Sequence, residues 1–206
     1  MKNIITIQHT QSVHHTNGMI GSWTDWDLTE IGKIQAENIG KKLSTEYDNE
    51  KFVMYSSPLK RSLQTAEIVS KYFDIEINFD DSLKERNLGM AVGKSVDWFR
   101  ENMQRQEHTI DDRFFDDGES RNDLWNRLLP FYEKILSSKD ENIIIVSHGD
   151  TLSVFNAMWL GLDVEFLNTG NLHGIAGGVS FLHLKSDGKR TISGLSDTYY
   201  KRWLSV

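Results

Sequence analysis

Two short apolar runs constrain this chain more than anything else in it: Ile4-Ile5-Thr6-Ile7 near the start and Ile143-Ile144-Ile145-Val146 late in the sequence. Runs of β-branched side chains with little polar alternation suit strands buried on both faces, as in a parallel sheet covered by helices. Each run leads into a histidine, His9 after Gln8 and His148 after Ser147. In open α/β sheets, ligands bind at the carboxyl ends of the strands. The pattern therefore predicts two imidazoles side by side at one sheet edge, where chemistry is usually done.

The sequence between these runs supplies the helices that such a sheet requires. Thr29-Glu30 opens a helix as N-cap and first-turn acid, with Ile31, Ile34, Ile39 and Leu43 on roughly one face and an end before Ser44. Residues 52–55 read as a second buried strand, and Ser56-Ser57-Pro58 as a helix start with proline at the first helical position. Arg61 then falls in the first turn, where its guanidinium can join free backbone N–H groups in holding an anion. Residues 75–79 read as a short strand, 93–106 as a helix, and 108–118 as an acidic surface excursion of solvated aspartates. A helix over 119–137 turns Leu124, Leu128, Leu129, Tyr132 and Ile135 inward, and Pro130 is expected to bend or interrupt it. The strand at 142–147 leads into an apolar helix over 151–160, stopped by Gly161. Two last strands, 179–184 and 191–195, flank Asp187-Gly188, a hairpin turn. Strands alternating with helices predict an α/β three-layer sandwich, a mainly parallel central sheet with helices on both faces, in one domain over residues 1–206.

Composition narrows the chemistry. The chain has no cysteine, which removes disulfides, thiolate metal sites and thiol nucleophiles together. Its formal charge of −7 disfavours non-specific nucleic-acid binding, so an anionic ligand must be held by a local cluster of positive groups. No apolar stretch approaches the roughly 18–20 residues of a membrane span, and the first residues lack a secretory pattern. The expectation is a cytoplasmic protein with neither nucleic-acid nor membrane partners.

Several segments, in order and at compatible spacing, resemble the histidine phosphatase superfamily, the phosphoglycerate mutase-like proteins. They are Gln8-His9-Thr10; Trp23-Thr24-Asp25-Trp26-Asp27-Leu28-Thr29-Glu30-Ile31-Gly32 with Gln35-Ala36; and Tyr55-Ser56-Ser57-Pro58-Leu59-Lys60-Arg61-Ser62-Leu63-Gln64-Thr65-Ala66. Leu83-Lys84-Glu85-Arg86-Asn87-Leu88-Gly89, Gly118-Glu119-Ser120 and Val146-Ser147-His148-Gly149 complete the set. The resemblance implies that His9 is a nucleophile that takes a phosphoryl group, that Arg61 and His148 hold that group, and that Glu85 is the proton donor. Gln8, His15 and Gly149 join Arg61 and His148 in the implied phosphate and substrate site. No metal or cofactor is implied, and the substrate is a small phosphorylated molecule. Physical requirements agree: donors around the phosphoryl oxygens, an unprotonated nucleophile in line, and an acid for the leaving oxygen.

The main departure lies at the first histidine. The family pattern is Arg-His-Gly, and this chain has Gln8-His9-Thr10. Replacing a charge-assisted contact by a neutral one costs on the order of 1–3 kcal/mol of phosphate stabilisation, roughly tenfold to a hundredfold in rate or affinity. Thr10 also puts a side chain where the family has glycine, and His15 stands where the family's mutases often carry asparagine; a protonated His15 would return positive charge to the pocket. Three readings follow: a metal-independent phosphomonoester phosphatase, a phosphoglycerate mutase-type phosphotransferase, and a degenerate member that binds phosphorylated ligands or a partner without efficient turnover. Lys94-Ser95-Val96-Asp97 reproduces the mutases' lysine-containing run poorly. A metal site built from His9, His14, His15 and His148 is the least favoured, because acidic ligands at helical spacing are not evident.

Overall fold

A computed structural model describes residues 1–202; the last four residues of the expected domain lie outside the described residues. The strands are β1 (Lys2–Gln8), β2 (Val53–Ser56), β3 (Ile77–Phe79), β4 (Asn142–Ser147), β5 (Val179–Leu184) and β6 (Arg190–Asp197). The helices are α1 (Glu30–Glu46), α2 (Lys60–Ser70), α3 (Val96–Asn102), α4 (Arg121–Ser137) and α5 (Gly149–Leu160). One six-stranded sheet runs in the order β3-β2-β4-β1-β5-β6. The first four strands in that order pair in parallel, whereas β5 and β6 add antiparallel. The hairpin at Asp187-Gly188, where Gly188 takes a φ of +82°, makes β6 antiparallel to β5, because so short a connection permits no other pairing.

The two β-branched runs form the centre of the sheet, and each supplies both of its faces. Ile4, Ile143 and Ile145 pack with Leu124, Leu128 and Phe131 of α4 and Phe155 and Trp159 of α5. Ile5, Ile7, Ile144 and Val146 pack with Ile39 and Leu43 of α1 and Ala66 and Val69 of α2. The strand period of two thus divides one apolar run between two cores, which gives the three expected layers.

Local boundaries shift where tertiary contacts outweigh local signals. Helix α1 continues to Glu46, and the following Tyr47 packs on Phe52 and Phe181. Its buried face includes Ala36, Ile39 and Leu43, while Ile31 is exposed. Helix α2 begins at Lys60 rather than Pro58, because the Ser57 hydroxyl accepts from Leu59 N and caps the turn before the helix. Only Val96–Asn102 of the 93–106 stretch is helical; Ser95 caps it, and Gln104 N turns away to Phe114 O. The 108–118 excursion is anchored by buried Ile110 and Phe115, and Asp112 is not simply solvated, since it accepts from the N–H groups of His108 and Thr109. Pro130 neither interrupts α4 nor enters the core: it is exposed, on the face away from Leu124 and Leu128, where water can satisfy the carbonyl it leaves free.

Gly32, in the first turn of α1, carries the close approach that seats this helix against the segment following His9. A Cβ at Gly32 would lie 1.9 Å from the backbone oxygen of Gln11, which also accepts from Thr29 N. Neither partner is a flexible side-chain end, so the backbone must move. Gly32→Ala is expected to destabilise the protein by about 1–3 kcal/mol, the range for overpacking. Denaturant unfolding checks this, and a wild-type midpoint would refute it.

Candidate active site

The parallel register of β1 and β4 aligns Gln8 with Ser147, so the chain delivers His9 and His148 side by side at the carboxyl ends of adjacent strands. His9 N donates to Ser147 O at 2.9 Å, and the two rings lie 5.2 Å apart. Both side chains are buried. His9 Nδ1 lies 2.9 Å from its neighbour's carbonyl, Thr10 O, which can only accept, so the ring proton sits on Nδ1 and Nε2 carries the lone pair. Burial, and then the Arg61 charge, hold the His9 pKa well below the ordinary range.

Arg61 is fixed in place by the loop between β1 and α1. Its Nη1 and Nη2 donate to Thr24 O and Ser22 O, each at 2.8 Å, and its Nε donates to His9 Nε2 at 3.1 Å. Burial lowers its pKa to about 10, so it stays charged at neutral pH. His148 Nε2 lies 2.8 Å from the Ser57 hydroxyl. That hydroxyl also accepts from Leu59 N, and the buried His148 Nδ1 has no hydrogen-bond partner among the described residues. Burial and Arg61 also depress the His148 pKa. His148 backs the cavity rather than lining it.

The cavity has a volume of about 250 Å³ and is lined by His9, Arg61, Gln8, Gly149, Glu85 and both loop histidines, among others. His14 and His15 lie close to the His9 ring, with centroids at 5.7 and 5.4 Å. Burial, reinforced by His15 and Arg61, pushes His14 down to about 3; burial, Arg61 and Lys201 lower His15. A protonated His15 is therefore not the resting form. His9, His14 and His15 bring ring nitrogens within 4.8 Å of one another, spacing that could serve a metal ion. The Arg61 guanidinium bonded to His9 opposes a cation there, and His15 Nδ1 already accepts from Ser12 N.

Glu85 lines the same cavity. Its Oε1 accepts from Arg86 N, Thr151 N and the Thr151 hydroxyl, at 2.9, 3.3 and 3.3 Å, which leaves Oε2 for a ligand. Burial and the nearby Asp150 charge raise its pKa, partly opposed by the Arg86 N–H and Arg61. Asp150 keeps its charge despite burial, through His173 and the charges of Arg86 and Arg121. A cavity holding an imidazole lone pair, a guanidinium and a carboxyl whose pKa is raised has the groups needed to bind a tetrahedral anion, attack it and protonate what leaves.

All the residues singled out from sequence meet around this cavity. The sequence names His14 only as a member of a disfavoured metal site; those missed are Ser57, Asp150 and His173. Asp150 follows His148-Gly149 directly and could have been noticed; His173 is one polar residue in a loop and carries no local signal.

Comparison with known proteins agrees with this geometry. Residues 4–197 match the profile described as "Histidine phosphatase superfamily (branch 1)". The chain is 29% identical to phosphoserine phosphatase 1 of Hydrogenobacter thermophilus over 173 residues, covering 80% of this chain and 79% of that protein. It is 28% identical to a 2,3-bisphosphoglycerate-dependent phosphoglycerate mutase of Nitrobacter winogradskyi, with 72% and 76% covered. The fold superposes on the solved structure of YhfR of Bacillus stearothermophilus with a TM-score of 0.84 at 24% identity, covering 98% of this chain and all of that one.

Imidazoles held neutral by the fold bind fewer protons than in the unfolded chain. Their contribution to stability is present above the unfolded value, about pH 6.5, and is lost as the pH falls below it. His14→Gln removes one such group, so its unfolding midpoint is expected to fall less steeply on acidification than that of the wild type. An NMR titration in which His14 of the folded protein protonates at its ordinary pKa contradicts this assignment.

Proposed function

The chain belongs to the histidine phosphatase superfamily, and from that premise we propose that it is a metal-independent phosphomonoester phosphatase working through a phosphohistidine on His9. The observation that carries the reading is the His9 tautomer: Nδ1–H on Thr10 O, with the Nε2 lone pair in the cavity beside Arg61. A depressed pKa keeps that lone pair available at neutral pH.

In this reading the His9 Nε2 lone pair attacks phosphorus, a P–N bond forms, and the bond from phosphorus to the ester oxygen breaks. The departing oxygen takes the proton of Glu85. Water then attacks the phosphohistidine while the Glu85 carboxylate accepts its proton; the P–N bond breaks, inorganic phosphate leaves and His9 returns to its neutral form. Arg61 Nε moves from His9 to a phosphoryl oxygen, and His148, its ring 5.2 Å from that of His9, supports the pocket from behind. The raised pKa of Glu85 supports its role as the acid. Gln8 in place of the family's arginine leaves the attack intact and weakens phosphate binding. The same reading takes residues 1–206 as one cytoplasmic domain, without cofactor, acting on a small phosphorylated substrate.

Hydrolysis of an aryl phosphate in the presence of chelator is expected, and His9→Ala should reduce it by on the order of a thousandfold or more. Turnover lost to chelator, or retained by His9→Ala, overturns the proposal. Rapid interconversion of phosphoglycerates with a bisphosphoglycerate primer would instead identify a mutase. Glu85→Gln should slow alkyl phosphates by about a hundredfold or more while affecting aryl phosphates less, because a good leaving group needs no acid. Equal losses for both substrates would remove Glu85 from the acid role.

A further inference from the structure

Asp150 and His173 stand together at one wall of the cavity, and the reaction above uses neither. His173 lies in the loop between α5 and β5, and that loop is tied down on both sides of it. Leu172 N donates to the Ser153 hydroxyl at 2.9 Å, and the Asn156 amide donates to Leu172 O at 3.3 Å, both on α5. Further on, Gly177 N donates to Gln8 O and His9 O, while Gln8 N donates to Gly178 O. His173 is therefore held between the helix that follows His148 and the strand end that bears His9.

The ring orientation follows from two contacts. Nδ1 lies 3.4 Å from Asp150 Oδ1, and a Cβ added at Gly149 would lie only 2.8 Å from both Cε1 and Nε2 of the ring. The same Cβ position is 3.5 Å from Gln8 Nε2, so the far edge of the imidazole and the Gln8 amide share one wall. Glycine at 149 is what leaves room for the ring. We infer that His173, oriented by Asp150, is a phosphate-binding residue of this site, presenting Nε2–H to a phosphoryl oxygen on the wall where Gln8 brings no charge; the inference rests on the phosphoryl-transfer reading above.

The charge balance of the cavity supports this. A phosphate ester dianion needs positive groups, and His9, His14, His15 and His148 are all held toward the neutral form. Arg86 lines the cavity but is paired with Glu107. The groups that act on His173 are Asp150 on α5 and Arg121 on α4, with Glu85 acting only in its ionised form. The Asp150 carboxylate, 3.4 Å from Nδ1, is the largest influence and raises the His173 pKa, and burial opposes it. Arg121 also opposes it, yet is itself paired with Glu107 at 2.9 Å. A protonated His173 uses Nδ1–H for Asp150 and keeps Nε2–H for a ligand.

Sulfate is a suitable probe, because it is a tetrahedral dianion that does not titrate between about pH 5 and 9, and its binding needs no turnover. By calorimetry, wild-type protein is expected to bind sulfate about tenfold more tightly near pH 6 than near pH 8.5, the scale of one charge-assisted contact. The His173→Gln variant should lose both the pH dependence and about tenfold of the affinity near pH 6. Asp150→Asn should move the midpoint of the pH dependence downward, which a merely structural role for His173 would not do. Wild-type protein that fails to bind sulfate near pH 6, or His173→Gln with wild-type affinity and pH dependence, overturns the inference. If the sulfate results hold while aryl phosphate is not hydrolysed, the inference stands and the phosphatase reading falls. Hydrolysis with an unchanged KM in His173→Gln does the reverse.

Discussion

One buried guanidinium ties the site to the fold. Arg61 is 1% exposed, and an unpaired charge at that depth would cost several kcal/mol, so the partners that hold three of its five N–H donors matter to the fold. Two are met by backbone carbonyls of the loop between β1 and α1, Ser22 O and Thr24 O, and a third by His9 Nε2. The loop conformation is consequently set by Arg61 as much as by its own turns. Ser22 sits at a φ of +35°, and its hydroxyl both donates to Arg86 O and accepts from Leu88 N, which joins the loop to the segment bearing Glu85. Two walls of the cavity are thereby positioned through one side chain.

The same charge governs the protonation of what surrounds it. Arg61 acts with burial to keep four histidines toward their neutral form, which suits a nucleophile and leaves little positive charge for an anion. On the far wall the order is reversed. Burial and then the Asp150 charge raise the Glu85 pKa, and Asp150 raises that of His173, so one carboxylate acts on both groups. His148, Gly149, Asp150 and Thr151 are consecutive, and the start of α5 presents them to three neighbours: Ser57, His173 (which both Gly149 and Asp150 approach) and Glu85. Gly149 is required there by close approach rather than by backbone strain.

Much of this was legible in the residue order. The β-branched runs marked the central strands, because only strands buried on both faces tolerate such continuous apolar character, and the histidines following them marked the sheet edge. Arg61 and Glu85 were found through segments whose spacing resembles a family. Where local signals competed with packing they misled: Pro58 is a good first helical residue, yet α2 starts at Lys60 because Ser57 is engaged by His148 and Leu59. Ile31 is apolar and in phase with Ile39 only approximately, and it faces out. The antiparallel edge was foreshadowed by Asp187-Gly188, whose hairpin forces it.

By itself, the sequence determined which segments form the central layer, which helices cover it, and that two imidazoles emerge from its centre, since period-two burial and strand ends are properties of short stretches. Only the tertiary structure decided the protonation of those imidazoles and the company they keep. A pKa depends on burial and on charges brought from distant parts of the chain, as Arg61 is to His9 and Asp150 to Glu85. His173 is the clearest case: a lone loop residue acquires a place in the site only because α5 and the end of β1 hold its loop from both sides.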